Sequence, residues 1–269
     1  MKKLKSKILL SLLGATLLNG YEIDDPTLGN IAIEAGIWNT TLDGNIKNTV
    51  STTNFKEDLG FDESKNVTSF VLDLKNYYSW LPNIYVNYFT LNSATDGTIA
   101  TAKQIDHSGT VTNFQGSVSS TIEYSEINTI LYGYLQQSIF EFDLGLNLKK
   151  INYKQQIKEN IDTDTSNNDD DLDSSTIKGP DQIIPLPYLA FKIDLYPINT
   201  VLKAEASVLA LGDDEAKDYK YSLNYRIMKN MYISYGYRYN SWKTTNKDNV
   251  HEKYDMSLKC NYLNAKILF

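Results

Sequence analysis

The chain has 269 residues, of which 42% are hydrophobic and 22% are charged, and its formal net charge is −7. The acidic balance comes without a basic stripe, which argues against nucleic acid as a partner because phosphate binding needs clustered Lys and Arg. The single cysteine, Cys260, excludes an internal disulfide, so the fold needs another source of stability. Twenty tyrosines favour strands and membrane–water interfaces, where an apolar ring carries a polar tip.

The start of the chain is typical of a secretory signal peptide. Four lysines within the first seven residues precede an apolar run over 8–18, ILLSLLGATLL. A run of this length is too short to span a bilayer as a helix, and it fits the apolar segment of a signal. We predict that residues 1–20 direct export through the general secretory pathway, with an uncleaved anchor as the alternative, and that 21–269 form the mature domain.

The rest of the chain alternates between apolar and polar residues with period two. After the signal, no stretch reaches 18 apolar residues without a charged residue, which excludes a helical membrane protein. In Ile139–Lys149, IFEFDLGLNLK, the Phe and Leu side chains fall on one face and the polar side chains on the other. Such alternation predicts strands, and it fits both a soluble sandwich and a membrane barrel.

The connections between the predicted strands favour the barrel. We predict ten strands, with eight as the alternative, over 30–43, 66–80, 84–96, 119–135, 138–154, 183–196, 200–211, 218–228, 231–243 and 253–269. Tight turns at 81–83, 136–137, 197–199 and 229–230 alternate with connections that are mostly longer and more polar, at 44–65, 97–118, 155–182, 212–217 and 244–252. Alternating short turns and longer loops are typical of outer-membrane barrels. The predicted fold class is all-β, a closed antiparallel transmembrane β-barrel in the outer membrane of a Gram-negative cell.

The C-terminal residues agree with this prediction. Leu263, Ala265, Ile267 and Phe269 share one face of the last strand, and the chain printed here ends on that phenylalanine. A terminal aromatic residue with apolar residues at every second position resembles the signal read by the barrel assembly machinery. The predicted partners are therefore that machinery and periplasmic chaperones, together with outer-membrane lipid and lipopolysaccharide.

Short motifs along the chain resemble a known group of proteins. The motifs are AGIW at 35–38, LYGY at 131–134 followed by DLGL at 143–146, and YGYR at 235–238. In this order they are similar to an uncharacterised family of small Gram-negative outer-membrane β-barrel proteins. The chain differs from that pattern at Gly133, where another Tyr is usual, and in its long acidic loop. The resemblance implies the fold and the location, and it implies no agreed activity.

Charged residues on the cleanly alternating strands are expected to face the lumen. They are Glu34, Asp73, Lys75, Glu141, Asp143, Lys149, Lys192, Asp194, Lys203, Glu205, Lys220, Arg226 and Arg238. A barrel of this size is only slightly wider than one filled by side chains, and unpaired buried charges are costly. We therefore predict a charge-paired plug and a structural or surface-interaction role. The alternative is a small porin-like channel for ions or small polar solutes.

The acidic loop is a further candidate site. The acidic extracellular loop at about 155–182 carries oxygen ligands in a calcium-loop register at Asp162, Asp164, Ser166, Asp170 and Asp173. Asn167 occupies the position that needs glycine, and no helices are predicted on either side. We predict a solvated loop with no metal and no cofactor, and keep divalent cation binding there as the alternative.

An enzymatic role is not predicted. Omptin-type proteases are also ten-stranded barrels with His and Asp at the outer rim, and this chain has only two histidines, His107 and His251, with Asp106 and Asp248 near them in sequence. That family's sequence pattern is absent, so an omptin-like protease is kept only as a further alternative. A lipid esterase would need Ser and His together on the barrel wall, and nothing in the sequence places them there.

Overall fold

A computed structural model of the protein describes residues 31–47, 51–76, 78, 80–107, 110–160, 174–178, 182–212, 214–245 and 253–269. Within these ranges, the structure describes only the backbone at 104–107, 110, 111, 175, 177, 178, 182 and 211. The predicted signal peptide lies outside the described residues.

Nearly all of the described chain is β-structure. Its strands are β1 (Ile31–Lys47), β2 (Thr52–Asn54), β3 (Lys65–Leu74), β4 (Asn83–His107), β5 (Thr110–Gln137), β6 (Phe140–Glu159), β7 (Ser174–Lys178), β8 (Gln182–Leu195), β9 (Thr200–Leu211), β10 (Asp214–Met228), β11 (Met231–Thr245) and β12 (Lys253–Leu268). A 3-10 turn at Tyr196–Ile198 follows β8. Among the described residues, no helix has both the length and the apolar character needed to cross a membrane.

Ten of the described strands close into a ring. Antiparallel pairing runs in the order β1, β3, β4, β5, β6, β8, β9, β10, β11 and β12, and β12 then pairs with β1 from Ala32–Leu268 to Lys47–Lys253. The short strands β2 and β7 pair with the upper ends of β1 and β6, on the same edges as β3 and β8. The predicted all-β closed antiparallel barrel of ten strands is confirmed, and the eight-stranded alternative is wrong.

Several predicted connections are wrong because the strands are longer than expected. The predicted loop 97–118 is mostly strand, since β4 and β5 leave only positions 108–109 between them. The segment is rich in Thr, Ile and Val, which favour strands, but its polar residues suggested a loop. Likewise β10 begins at Asp214, inside the predicted loop 212–217, and β6 and β7 occupy both ends of the predicted loop 155–182.

Two predicted strand ends also differ. The strand predicted over 66–80 ends at Leu74, and residues 75–82 connect it to β4. Gln136 and Gln137 belong to β5, so the tight turn lies at Ser138 and Ile139 instead. Ser138 has a φ of 56°, the left-handed conformation that a two-residue hairpin turn requires.

The outer face of the barrel carries an apolar belt at one end. On β6 the outward side chains of Phe140, Phe142, Leu144, Leu146 and Leu148 form it, and on every ring strand similar residues lie at the same level. From the first to the last of these residues is about 26 Å along the strand, or about 20 Å along the barrel axis at a tilt of about 40°. We call this half, which contains both described chain ends, the lower half.

The pattern inverts in the other half of the barrel, which we call the upper half. Beyond Leu148 the outward residues of β6 become Lys150, Asn152 and Lys154, while the inward residues become Ile151 and Tyr153. The same exchange occurs on β1, where outward Ile37 gives way to Asn39. The upper half therefore has a polar exterior and an apolar interior, as a water-soluble β-structure does.

The apolar interior of the upper half forms one continuous cluster, which we call the upper core. Its buried members include Trp38, Phe89, Leu91, Phe114, Ile122, Tyr124, Tyr153, Trp242, Tyr254 and Tyr262. The aromatic rings contact one another: the centroid of Trp38 lies 5.5 Å from that of Phe89 and 5.3 Å from that of Tyr262. In the strand segments around Ile84–Leu91 and Ile122–Leu135, both polar and apolar side chains point inward. These are the segments in which the inward face changes between the polar lower half and the apolar upper half.

Strand β2 and the segment that follows it close the upper core. We call residues 52–61 the cap. Its Phe55, Leu59 and Phe61 side chains are buried in the upper core. The carbonyl of Leu59 accepts a hydrogen bond of 2.6 Å from the Thr95 hydroxyl, and Lys103 forms an ion pair with Asp58.

Gly97 of β4 allows the cap to approach closely. A Cβ atom at this position would lie 2.4 Å from the Asp58 carbonyl oxygen and 2.6 Å from the Leu59 carbonyl carbon. Both contacts are to backbone, which cannot move aside as a flexible side chain would. A side chain at position 97 is therefore incompatible with the docked cap.

We expect Gly97→Val to lower the free energy of unfolding by about 1–3 kcal/mol, the usual cost of overpacking. The measurement is urea unfolding in lipid vesicles followed by tryptophan fluorescence, since Trp38 and Trp242 report on the upper core. The matched control is Ala94→Val on the exposed outer face of the same strand, which should change little. Equal stability of the two variants would contradict the docked position of the cap.

Candidate functional site in the barrel lumen

Four charged side chains meet at mid-height, directly below the upper core. Glu126 of β5, Lys149 of β6, Asp218 of β10 and Arg238 of β11 form what we call the central quartet. The Lys149 ammonium lies 2.9 Å from Asp218 and 3.4 Å from Glu126, and Arg238 forms ion pairs with both carboxylates. The quartet has no net charge, and all four side chains are almost completely buried.

Neighbouring polar groups satisfy the remaining hydrogen-bonding capacity of the quartet. The hydroxyl of Tyr124 donates to Glu126 over 2.6 Å, and Asn240 accepts from Lys149 over 2.7 Å. The guanidinium of Arg238 lies 5.4 Å from the ring centre of Trp38, a cation–π contact with the upper core. This degree of satisfaction is what allows buried charges to persist, because a buried charge without partners is strongly unfavourable.

A second cluster lies nearer the lower end. Lys192 of β8 sits directly across from Glu141 of β6, and its ammonium contacts both Glu141 and Asp143, the latter at 3.0 Å. Because the two strands are adjacent, the charges form a cross-strand pair of the kind that fixes register.

A third cluster surrounds Glu205 of β9. Its carboxylate lies 2.8 Å from the ammonium of Lys203 and 3.7 Å from that of Lys220, and it accepts a 2.8 Å hydrogen bond from Tyr188. Lys220 also donates to the Tyr85 hydroxyl over 3.1 Å. Charge in this part of the lumen is again paired across neighbouring strands.

The remaining predicted lumen residues have weaker or non-ionic partners. Glu34 accepts a hydrogen bond from Asn264, and Asp73 accepts one of 2.9 Å from Tyr132. Lys75 lies 5.1 Å from the ring centre of Tyr134. The guanidinium of Arg226 is 3.6 Å from Asp194. The structure thus puts the thirteen predicted residues in contact with polar or aromatic partners, while their binding or pore-lining role stays a prediction.

Sequence reasoning missed three charged residues of the lumen. Glu126 and Asp218, half of the central quartet, and Lys266 of β12 all face inward. Glu126 shares a face with Ile122 and Tyr124, so it was hidden where the inward face changes from apolar to polar. Asp218 was missed because it is the first residue of the predicted strand 218–228. The observed strand β10 begins four residues earlier, at Asp214.

A cavity lies between the central quartet and the Glu205 cluster. Its volume is about 30 Å³ as swept by the centre of a water-sized sphere. That is room for about two water molecules. The wall is formed by Trp38, Tyr85, Asn87, Asn128, Ile130, Asn147, Tyr188, Glu205, Ala206, Ser207, Asp218, Lys220 and Arg238. The cavity is therefore lined by aromatic and aliphatic side chains together with amides, hydroxyls and charges that have ionic partners.

The other predicted sites receive less support. The five loop residues Asp162, Asp164, Ser166, Asp170 and Asp173 lie outside the described residues, as do Asp248 and His251. Asp106 and His107 are the last two residues of β4, and the structure describes only their backbone. Among the described residues, no group of three or more His, Cys, Asp or Glu side chains could hold a metal ion.

The C-terminal apolar face lies where the ring closes. Leu263 and Ile267 point outward from β12, and Phe269 is 64% exposed, next to β1. The backbone of Phe269 exchanges hydrogen bonds with Ile31, with N···O distances of 2.8 and 3.4 Å. Recognition of this face, which includes Ala265, by the assembly machinery stays a prediction.

Comparisons with known proteins find the fold in solved structures. No protein-family model and no curated protein matches the chain. The structure of the outer membrane protease OmpT from Escherichia coli matches over 88% of this chain and 97% of that one, with 11% identity and a TM-score of 0.53.

Weaker matches include Ail, the attachment invasion locus protein of Yersinia pestis, with 10% identity, coverage of 90% of this chain and 99% of that one, and a TM-score of 0.34. Neisserial surface protein A matches with 9% identity, 89% and 97% coverage and a TM-score of 0.32. At these values only the fold is compared.

The fold is that of an outer-membrane β-barrel. The resemblance to small Gram-negative outer-membrane barrel proteins is confirmed at this level, and the apolar belt gives the barrel the surface that a lipid bilayer requires. Short turns lie on the periplasmic side of such barrels. The lower half is therefore the membrane-embedded half, and we expect its turns on the periplasmic side and the upper half outside the cell.

We expect Arg238→Met to destabilise the barrel by about 3–5 kcal/mol, because it leaves Glu126 and Asp218 buried with too little positive charge. Urea unfolding in lipid vesicles measures the change. The control is Lys243→Met, whose exposed partner Asp255 lies 3.1 Å away on the next strand. Breaking this surface pair should cost less than about 1 kcal/mol. Comparable losses in the two variants would contradict the structural role of the quartet.

Proposed function

We propose that the protein is a non-conducting outer-membrane barrel that presents a rigid surface to the outside of the cell. The observation that carries this proposal is the upper core, in which aromatic and aliphatic side chains fill the upper half of the lumen. An axial aqueous path would have to cross this apolar cluster, and ions pay a large desolvation penalty there.

The lower half supports the same proposal. The Lys192, Glu205 and quartet clusters bridge neighbouring and facing strands across the lumen. Paired side chains that satisfy one another offer few free sites to a passing ion. A channel lined by both signs would instead need charges that are accessible to water.

The length of the strands supports a role at the surface. A membrane-crossing strand needs about 9–11 residues. Strand β6 has 20 residues and β4 has 25, so each continues well above the belt. The polar outer face and apolar interior of this extension are what a protein needs in order to hold a defined shape in water. We propose that this extension is the interaction surface and that outer-membrane lipid contacts the belt.

Two alternatives stay open as predictions. A porin-like channel would require the upper core to open. A protease role is the second alternative, and the sequence gives no support for it. Likeness of fold at 11% identity says nothing about catalysis. Binding of divalent cations to the acidic loop is likewise a proposal for residues outside the described ranges.

Conductance in planar lipid bilayers tests the proposal. We expect no stable single-channel steps from the purified barrel, because the upper core and the charge clusters occlude the lumen. A general porin in the same lipids is the positive control, and heat-modifiable gel migration verifies that the inserted protein is folded. Reproducible steps of constant size in independent preparations would favour the porin-like alternative.

A further inference from the structure

The hydrogen-bond ladder between β8 and β9 is incomplete. Their ladder ends at the pair Tyr188–Ser207, and within the described residues no bridge joins 182–187 to 208–211 above it. Both strands continue on their other sides, since β8 pairs with β6 as far as Gln182 and β9 pairs with β10 as far as Leu211. We call this unpaired stretch the seam.

Two prolines explain why the ladder stops. The amide of Asp194 donates to the carbonyl of Ile139 on the β6 side. Successive residues of a strand direct their backbone groups to opposite neighbours, and β8 has no register shift against β6, so odd-numbered residues face β9. Pro185 and Pro187 are odd-numbered and have no N–H. Donors are therefore missing on the β9 side, while pairing with β6 is left intact.

The seam lies at the level of the upper edge of the apolar belt. Pro187 and Pro185 lie across from Leu146 and Leu148 of β6, the last two outward apolar residues of that strand. On the other side of the seam stands Val208, which is partly exposed. The rim is thus apolar and faces the outer leaflet of the membrane.

The cavity described above lies directly behind the seam. Tyr188 and Ser207, the last paired residues below the seam, both line it. Ala206, which is paired with Leu189 in the ladder, lines it as well. The cavity therefore lies against the wall beside the last paired residues.

The cavity wall has buried polar atoms without hydrogen-bond partners. Both side-chain amide atoms of Asn87, and the Oδ1 atom of Asn147, have no hydrogen-bond partner, although these residues are only 4% and 1% exposed. Both residues line the cavity. Buried amides normally have hydrogen bonds, so these atoms point to an occupant that donates to and accepts from them.

The charges around the cavity define the chemistry of that occupant. The charges of the four ionic side chains that line the cavity sum to zero, since Arg238 pairs with Asp218 and Lys220 lies 3.7 Å from Glu205. No net charge is left to bind an ion, whereas a donor and acceptors are left by the asparagines. We propose that the seam is a lateral opening through which small uncharged, hydrogen-bonding solutes enter this cavity. The upper core blocks the axial path from outside, so the wall provides the route.

Thiol labelling tests this proposal. In a Cys260→Ser background, Ser207→Cys places one thiol in the cavity, and the barrel in lipid vesicles is treated with 2-hydroxyethyl methanethiosulfonate. Mass spectrometry gives the rate, normalised to a free thiol in solution. We expect Ser207→Cys to react at least ten times faster than Ser120→Cys, whose buried side chain lies on the inward face of β5 in the upper half. Equal rates would overturn the proposal.

Closing the seam is the decisive comparison. Pro185→Val/Pro187→Val restores both missing donors and lets the ladder to β9 continue, so the rate at Ser207→Cys should fall at least tenfold. The control Pro197→Ala removes a proline from the lower turn and should leave the rate unchanged. An undiminished rate in the closed variant would show that solutes enter elsewhere. If the double variant does not fold, Pro187→Val alone restores the donor next to the last ladder pair and makes the same test.

A charged reagent of the same size tests the class of solute. The 2-aminoethyl reagent, normalised in the same way, should react more slowly than the hydroxyethyl reagent, and a faster reaction would contradict the preference for uncharged solutes. This inference goes beyond the proposed function and can fail separately. A closed cavity would leave the barrel non-conducting, and a conducting barrel would show steps whether or not the seam admits solutes.

Discussion

Closure of the hydrogen-bonded ring is the constraint on which the rest of the structure depends. In hydrocarbon, every backbone N–H and C=O must find a partner within the protein, and a sheet with free edges cannot satisfy this requirement. The pairing of β12 with β1 removes both edges. Once the ring is closed at ten strands, its interior must be filled, and here it is filled in two different ways.

The two halves of the interior follow from the two solvents outside. Where the wall faces lipid, apolar residues point outward, and the polar residues left for the inside must neutralise one another, as Lys149 and Asp218 do. Where the wall faces water, this demand disappears and apolar residues such as Trp38 and Phe89 can turn inward. The central quartet lies at the boundary, with Arg238 against the ring of Trp38. The lower half is thus held by paired charge and the upper half by hydrophobic burial.

The sequence predicts the membrane-facing half well and the upper half poorly. Strands such as Phe140–Leu148 could be placed because lipid demands an apolar side chain at every second position. Above the bilayer that demand ends, so the strand residues of 97–118 looked like a polar loop. The expectation of short turns and long loops was only partly correct, since the upper connections 108–109 and 212–213 are as short as the lower turns 138–139 and 229–230, and the lower connection 75–82 is longer. Glu126 was missed because its face changes character within one strand. The proline pair at 185 and 187 is visible in the sequence, but its effect depends on which neighbour the missing donors would face, and only the register shows that.

Closure between the first and last described strands also has a consequence for how the chain acquires its structure. The contact between Glu34 and Asn264 joins positions 230 residues apart. Contacts of such separation form late, because the entropy of closing a long loop must be met before they contribute. Until then β1 and β12 are exposed edges, the features of a sheet most prone to pairing with other molecules. The step that completes the wall is therefore also the step that ends the period of greatest risk of aggregation.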